Sequence, residues 1–119
     1  MNHETLRDYC LSKKNATEHF PFDEVTLVFK VGGKMFGLVS LDEAPSISLK
    51  CDPELAIELR EQYSAVEPAW HFNKKHWNQV AMDDSISEKL VKEWIDHSYE
   101  LVYNALTRKV KEDLFLSEE

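Results

Sequence analysis

The sequence predicts an α+β domain, a small antiparallel sheet with helices packed on one of its faces. Three observations predict it. Val25, Leu27, Phe29 and Val31 alternate with Thr26, Val28 and Lys30, and Gly32-Gly33 then leads into a second run, Met35-Phe36-Gly37-Leu38-Val39-Ser40-Leu41. Two such runs joined by a glycine pair make a hairpin, because a primed two-residue turn needs the positive φ that glycine supplies. Next, Ser46 to Cys51 alternates again, with Ile47, Leu49 and Cys51 inward and Ser46, Ser48 and Lys50 outward. Finally, Val91, Ile95, Ser98, Val102 and Leu106 recur at helical spacing, reinforced by Leu90, Trp94 and Leu101. This last helix, roughly twenty residues long, is the natural cover for the sheet.

The remaining elements follow in order. Thr5 to Ser12 carries Leu6, Tyr9, Cys10 and Leu11, which fits a short amphipathic helix. Ala16 to Glu24 breaks that period, and Pro21 between Phe20 and Phe22 reads as an extended loop pinned by aromatics. Gly37 inside the second strand predicts a bulge or a close approach. Asp42 to Pro45 is a loop. Asp52 then caps a helix with Pro53 at its first position, running to about Tyr63 with Leu55, Ala56, Leu59 and Tyr63 inward. Val66 to Asn78 is irregular, and Gln79 to Met82 is a short strand. Ser85-Ile86-Ser87-Glu88 has capping-box spacing ahead of the last helix. From Arg108 to Glu119 the chain is charged and is expected to fray. Residues 1–107 thus form one domain and 108–119 a charged tail.

Bulk composition narrows the function. With 119 residues the chain is one domain, and its 14 basic against 22 acidic residues give a net charge of −8. The apolar share of 43% and charged share of 30% exclude a disordered chain or a disulfide-stapled mini-domain. No stretch approaches the ~20 apolar residues of a membrane span. A generally basic nucleic-acid wrapper is excluded, since the field of the whole molecule repels phosphate. Cys10 and Cys51 read as reduced, buried thiols. The first residues lack the basic and apolar regions of a signal peptide, so the expected compartment is the cytoplasm.

One segment departs from this anionic background. His71-Phe72-Asn73-Lys74-Lys75-His76-Trp77-Asn78 contains two adjacent lysines and no acid, and Trp70 precedes it. Basic residues interleaved with aromatics suit phosphate contact plus stacking on bases. The candidate nucleic-acid-binding residues are therefore Lys50, His71, Asn73, Lys74, Lys75 and His76, with Trp70, Phe72 and Trp77 as aromatic anchors. The alternative is that these rings anchor an irregular loop or a protein or small-ligand partner. Outward lysines beside buried rings favour phosphate or no ligand at all; exposed rings in uncharged surroundings favour a partner. Nothing points to catalysis. His71 and His76 are five apart rather than four, the cysteines have no Cys-x-x-Cys spacing, and no phosphate-loop pattern occurs. Asp96 and His97 lie about 100° apart around their helix and form no acid–base pair. The expectation is a non-enzymatic protein with no metal, no cofactor and no membrane partner, acting as a monomer or weak dimer.

Several segments together resemble the MmcQ/YjbR-like family of small bacterial proteins. They are Leu6-Arg7-Asp8-Tyr9-Cys10 with Ala16-Thr17-Glu18, Phe20-Pro21-Phe22, and Leu27 through Phe36 across the glycine pair. Leu49-Lys50-Cys51-Asp52-Pro53-Glu54, the 71–78 segment, and Ile95-Asp96-His97-Ser98-Tyr99-Glu100-Leu101-Val102 complete the match, which spans about residues 3–107. The resemblance implies a CyaY-like fold whose sheet has been likened to a "double wing" DNA-binding module, and hence DNA binding by fold analogy. It implies no catalytic residues.

Overall fold

The computed structural model describes residues 1–70 and 72–116. The chain runs α1 (His3–Leu11), β1 (Thr17–His19), β2 (Thr26–Val31), β3 (Lys34–Ser40), β4 (Ser46–Lys50), α2 (Pro53–Gln62), β5 (Val66–Pro68), β6 (Trp77–Ala81), α3 (Glu88–Asn104) and α4 (Arg108–Leu116). The strands form one six-stranded sheet in the order β1-β2-β3-β4-β6-β5, antiparallel throughout.

The hairpin closes as the glycine pair predicts, with φ of 58° at Gly32 and 80° at Gly33. A register shift follows Phe29, and Phe36 is the extra residue on β3. Gly37 lies beside this bulge, where a Cβ would sit 3.4 Å from the Phe29 ring. One face of the sheet carries Leu27, Phe29, Val31, Val39, Ile47, Leu49 and Val80, all nearly inaccessible. Helix α3 packs Val91, Trp94, Ile95 and Val102 into the same core; α1 adds Leu6 and Cys10, and α2 adds Ala56 and Leu59. The helices therefore cover a single face.

The structure corrects four expectations in detail. Helix α1 starts two residues early because Asn2 and Thr5 form a reciprocal capping box. The 16–24 stretch is not all loop: Thr17–His19 pairs with Lys30 to Val28 as an edge strand. The cap of α3 is Ser87, whose hydroxyl accepts from the Leu90 N–H at 3.1 Å, while Ser85 turns back to Asp83. The stretch expected to fray is helical to Leu116, because Val110 and Leu114 pack on the core and the Leu114 carbonyl accepts from Asn15 Nδ2 at 3.2 Å. Among the described residues, no helix is long and apolar enough to cross a membrane.

Candidate functional site

The uncovered face of the sheet is built by strand parity. Register places Val28, Leu38, Ser48 and Gln79 in one row across β2, β3, β4 and β6. Lys30 pairs with Met35, and Lys50 pairs with Trp77, in the next row toward the β2–β3 turn. Thr26, Ser40, Ser46 and Ala81 lie toward the opposite end. Alternation thus turns serines, a threonine and a glutamine outward where a solvated face would ordinarily carry long charged side chains.

This face holds a groove of about 360 Å³. Its floor is Thr26, Leu38, Ser40, Ser46, Ser48 and Gln79, and its walls are Phe22 and Glu43 on one side and Ala69, Trp70 and Phe72 on the other. Gln79 Nε2 donates to the Ser46 hydroxyl at 3.2 Å. Phe72 stacks on Trp77 with ring centroids 4.9 Å apart, and both are half-buried. Trp70 is 61% exposed, and Lys74 Nζ stands 4.1 Å above its ring. The three anchors therefore divide: Phe72 lines the groove with Trp77 stacked against it, and Trp70 is exposed with a cation on its ring.

Arg60 of α2 holds the loop in place. Its Nε donates to Asn78 Oδ1 at 2.6 Å, and its Nη2 donates to the carbonyls of Lys74 and Trp77. Asn78 is buried and donates in turn to the Ala56 carbonyl at 3.2 Å. Asn73 is spent on local structure: its side-chain oxygen accepts the Lys75 N–H at 2.9 Å. The His76 carbonyl accepts the Cys51 N–H at 2.7 Å, which extends the β4–β6 pairing into the loop. Lys74 and Lys75 are exposed. His71 lies outside the described residues.

The topology also sorts charge. β2 and β4 end, and β3 and β6 begin, at one end of the sheet. Lys30, Lys34, Lys50, Lys74 and Lys75 all belong to that end, as does the 12–16 loop with Lys13 and Lys14, and the acid in its connections is Asp52, which caps α2. The connections at the other end, 20–25, 41–45 and 82–87, hold the six acids Asp23, Glu24, Asp42, Glu43, Asp83 and Asp84 and no Lys or Arg. Ion pairs among the described residues join Arg7 to Glu18, Lys13 to Asp96, Lys92 to Glu88 and Arg108 to Glu112. None of them engages Lys30, Lys34, Lys50, Lys74 or Lys75.

The two thiols, His97 and Asp96 are each tied down. Burial pushes the Cys51 thiol up to about 11 and the Cys10 thiol to about 12. A void of only about 10 Å³ separates Cys51 from its neighbours Leu59, Trp94 and His97. His97 Nε2 accepts the Asp52 N–H at 3.3 Å. Asp96 accepts from the Tyr9 hydroxyl at 2.6 Å and from Lys13 at 2.7 Å, and burial first, then that hydrogen bond, lifts Tyr9 to about 12. Among the described residues, no three His, Cys, Asp or Glu side chains gather as metal ligands would.

The YjbR family model matches residues 11–101. The chain belongs to the YjbR family. The uncharacterized protein YbdF of Escherichia coli O157:H7 is 37% identical over 108 residues, 90% of this chain and 88% of that protein. The uncharacterized protein YjbR of Escherichia coli strain K12 is 36% identical over 102 residues, 85% of this chain and 86% of that protein. The crystal structure of Deinococcus radiodurans protein DR2400, a DUF419 domain, superposes with a TM-score of 0.88 at 37% identity, covering 95% of this chain and 87% of that one. The YjbR match spans the motifs from Ala16 to Leu101, including the segment whose Phe72 lines the groove.

Proposed function

We propose that this YjbR-family chain is a non-catalytic DNA-binding domain that meets the phosphate backbone with the basic end of its sheet. The observation that carries this reading is the sorting of charge by topology. A body of net charge −8 repels DNA only if its charges are felt together. At cellular salt, fields decay over about 8–10 Å, so Lys30, Lys34, Lys50, Lys74 and Lys75, which no ion pair among the described residues engages, act locally. Lys50, Lys74 and Lys75 contact phosphate, and Lys30 extends the strip across the sheet. Asn73 shapes the loop through its side-chain oxygen and His76 through its backbone groups. Few cations imply few phosphates, hence modest affinity with little sequence preference. Buried thiols support an intracellular, reducing site of action, the cytoplasm.

The test is fluorescence anisotropy with a labelled random-sequence DNA at low salt. Lys74→Glu/Lys75→Glu is expected to weaken binding by about tenfold or more, because two attractions become two repulsions. Binding equal to that of the unsubstituted protein overturns the proposal. The uncharged groove floor supports a second reading, a protein- or small-ligand-binding module without DNA. That reading predicts that the double charge reversal changes nothing while filling the groove abolishes capture of the partner.

A further inference from the structure

We infer that the groove on the uncovered face accepts one unpaired nucleobase of a DNA strand whose phosphates lie along Lys50, Lys74 and Lys75. This rests on the DNA-binding reading and specifies the form of DNA: single-stranded or locally open.

Three features of the groove carry the inference. Its volume of about 360 Å³ lies in the range of ligand sites, and it is more enclosed than the other depressions of similar volume among the described residues. One wall presents aromatic rings, Phe72 backed by Trp77 and the exposed Trp70, which suit base stacking of any sequence. Its floor is neutral and hydrogen-bonding: among the described residues the hydroxyls of Ser40 and Ser48 have no protein partner, although Ser48 is only 7% exposed. Hydroxyls both donate and accept, so they can meet the edge of a base.

Charge then fixes which part of a nucleotide goes where. Glu43 stands in the groove wall, and the acidic connections lie beyond it. A carboxylate repels phosphate but accepts from ring N–H and exocyclic amino groups. The lysines stand at the other end, so phosphate belongs there and the base belongs in the groove. Lys30 and Lys50 are two strand spacings apart, about 10 Å, a span that suits a polynucleotide better than one phosphate group. Bases in intact duplex are stacked and cannot enter such a site without being extruded, at a cost of a few kcal/mol.

The experiment compares a labelled 12-nucleotide single strand, the duplex of the same sequence, and an abasic strand of equal length, all by anisotropy at low salt. The single strand is expected to bind at least about fivefold tighter than either, the lower bound of one base stacked on an aromatic ring. Trp70→Ala should remove that advantage, so that the single strand binds the variant no tighter than the abasic strand does; the ring is exposed, so the fold tolerates its loss. Ser48→Leu, which fills the floor, should do the same, with its folding checked by circular dichroism. If all three DNAs bind alike and Trp70→Ala changes nothing, the base site is wrong; continued sensitivity to Lys74→Glu/Lys75→Glu would then leave the backbone reading standing. If no DNA binds, both readings fall.

Discussion

A single hydroxyl, that of Ser98, joins two strands that the register leaves apart. β3 and β4 pair at Gly37↔Leu49 and Leu38↔Ser48, and the next rung would be Phe36 opposite Lys50. The bulge moves Phe36 out of register, so its carbonyl and the Lys50 N–H cannot meet directly. Ser98, fully buried on α3, donates to the Phe36 carbonyl at 2.6 Å and accepts the Lys50 N–H at 2.9 Å. The hydroxyl satisfies both groups and fixes where Lys50 leaves the sheet. Ser98→Ala leaves that carbonyl and that N–H without partners and is expected to cost about 1–3 kcal/mol. Urea denaturation measures it; an unchanged midpoint with an unchanged slope would mean that the bridge is not formed in solution. In the sequence, Ser98 sits on the apolar stripe of the last helix, where serine is the odd member. That anomaly was the visible signal, but its meaning depends on a bulge one strand away.

Elements stabilised by local chemistry were legible, and elements stabilised by distant pairing were not. The glycine turn, the Asp52-Pro53 start of α2 and the length of α3 each follow from residues adjacent in sequence. β1 and β5 are three residues long and exist because β2 and β6 offer them an edge, which no local pattern encodes. β6 begins at Trp77 rather than Gln79, since its first two residues pair with Lys50 and Leu49 of β4. The groove was hidden for the same reason. Outward Ser46 and Ser48 were visible, yet Ser40, Gln79 and Phe22 join them only once β3, β4 and β6 lie side by side. Arg60, a lone cation among the acids of α2, was likewise an unread signal. It anchors the 72–77 segment from a separate element, so Arg60→Met should free that segment without unfolding the core. Hydrogen exchange at the Lys75 and His76 amides is expected to accelerate by about tenfold, one charged hydrogen bond's worth, while β2 and β3 amides keep their protection. Equal protection in the variant would show that the loop holds its shape without the guanidinium.

At the scale of the whole molecule, the question is whether −8 matters to a ligand held at one end. Strands of five to seven residues put the acidic connections roughly 16–23 Å from the basic termini. That separation is about twice the Debye length at physiological salt but less than the ~30 Å length at 0.01 M. The acids should therefore weaken DNA binding at 0.01 M salt and be nearly silent at 0.15 M. A variant carrying Asp42→Asn, Glu24→Gln, Asp83→Asn and Asp84→Asn removes four of these charges and leaves Glu43 in the groove. Its affinity for DNA is expected to rise severalfold at 0.01 M and to match that of the unsubstituted protein at 0.15 M, as read from anisotropy titrations at both salts. With about four lysines engaged on a single strand, the slope of log K against log salt for the variant should be about −3. For the unsubstituted protein it should be flatter below 0.05 M, where the far acids begin to be felt. A gain that persists undiminished at 0.15 M would mean that those carboxylates lie beside the bound phosphates, and the two ends of the sheet would have to exchange roles.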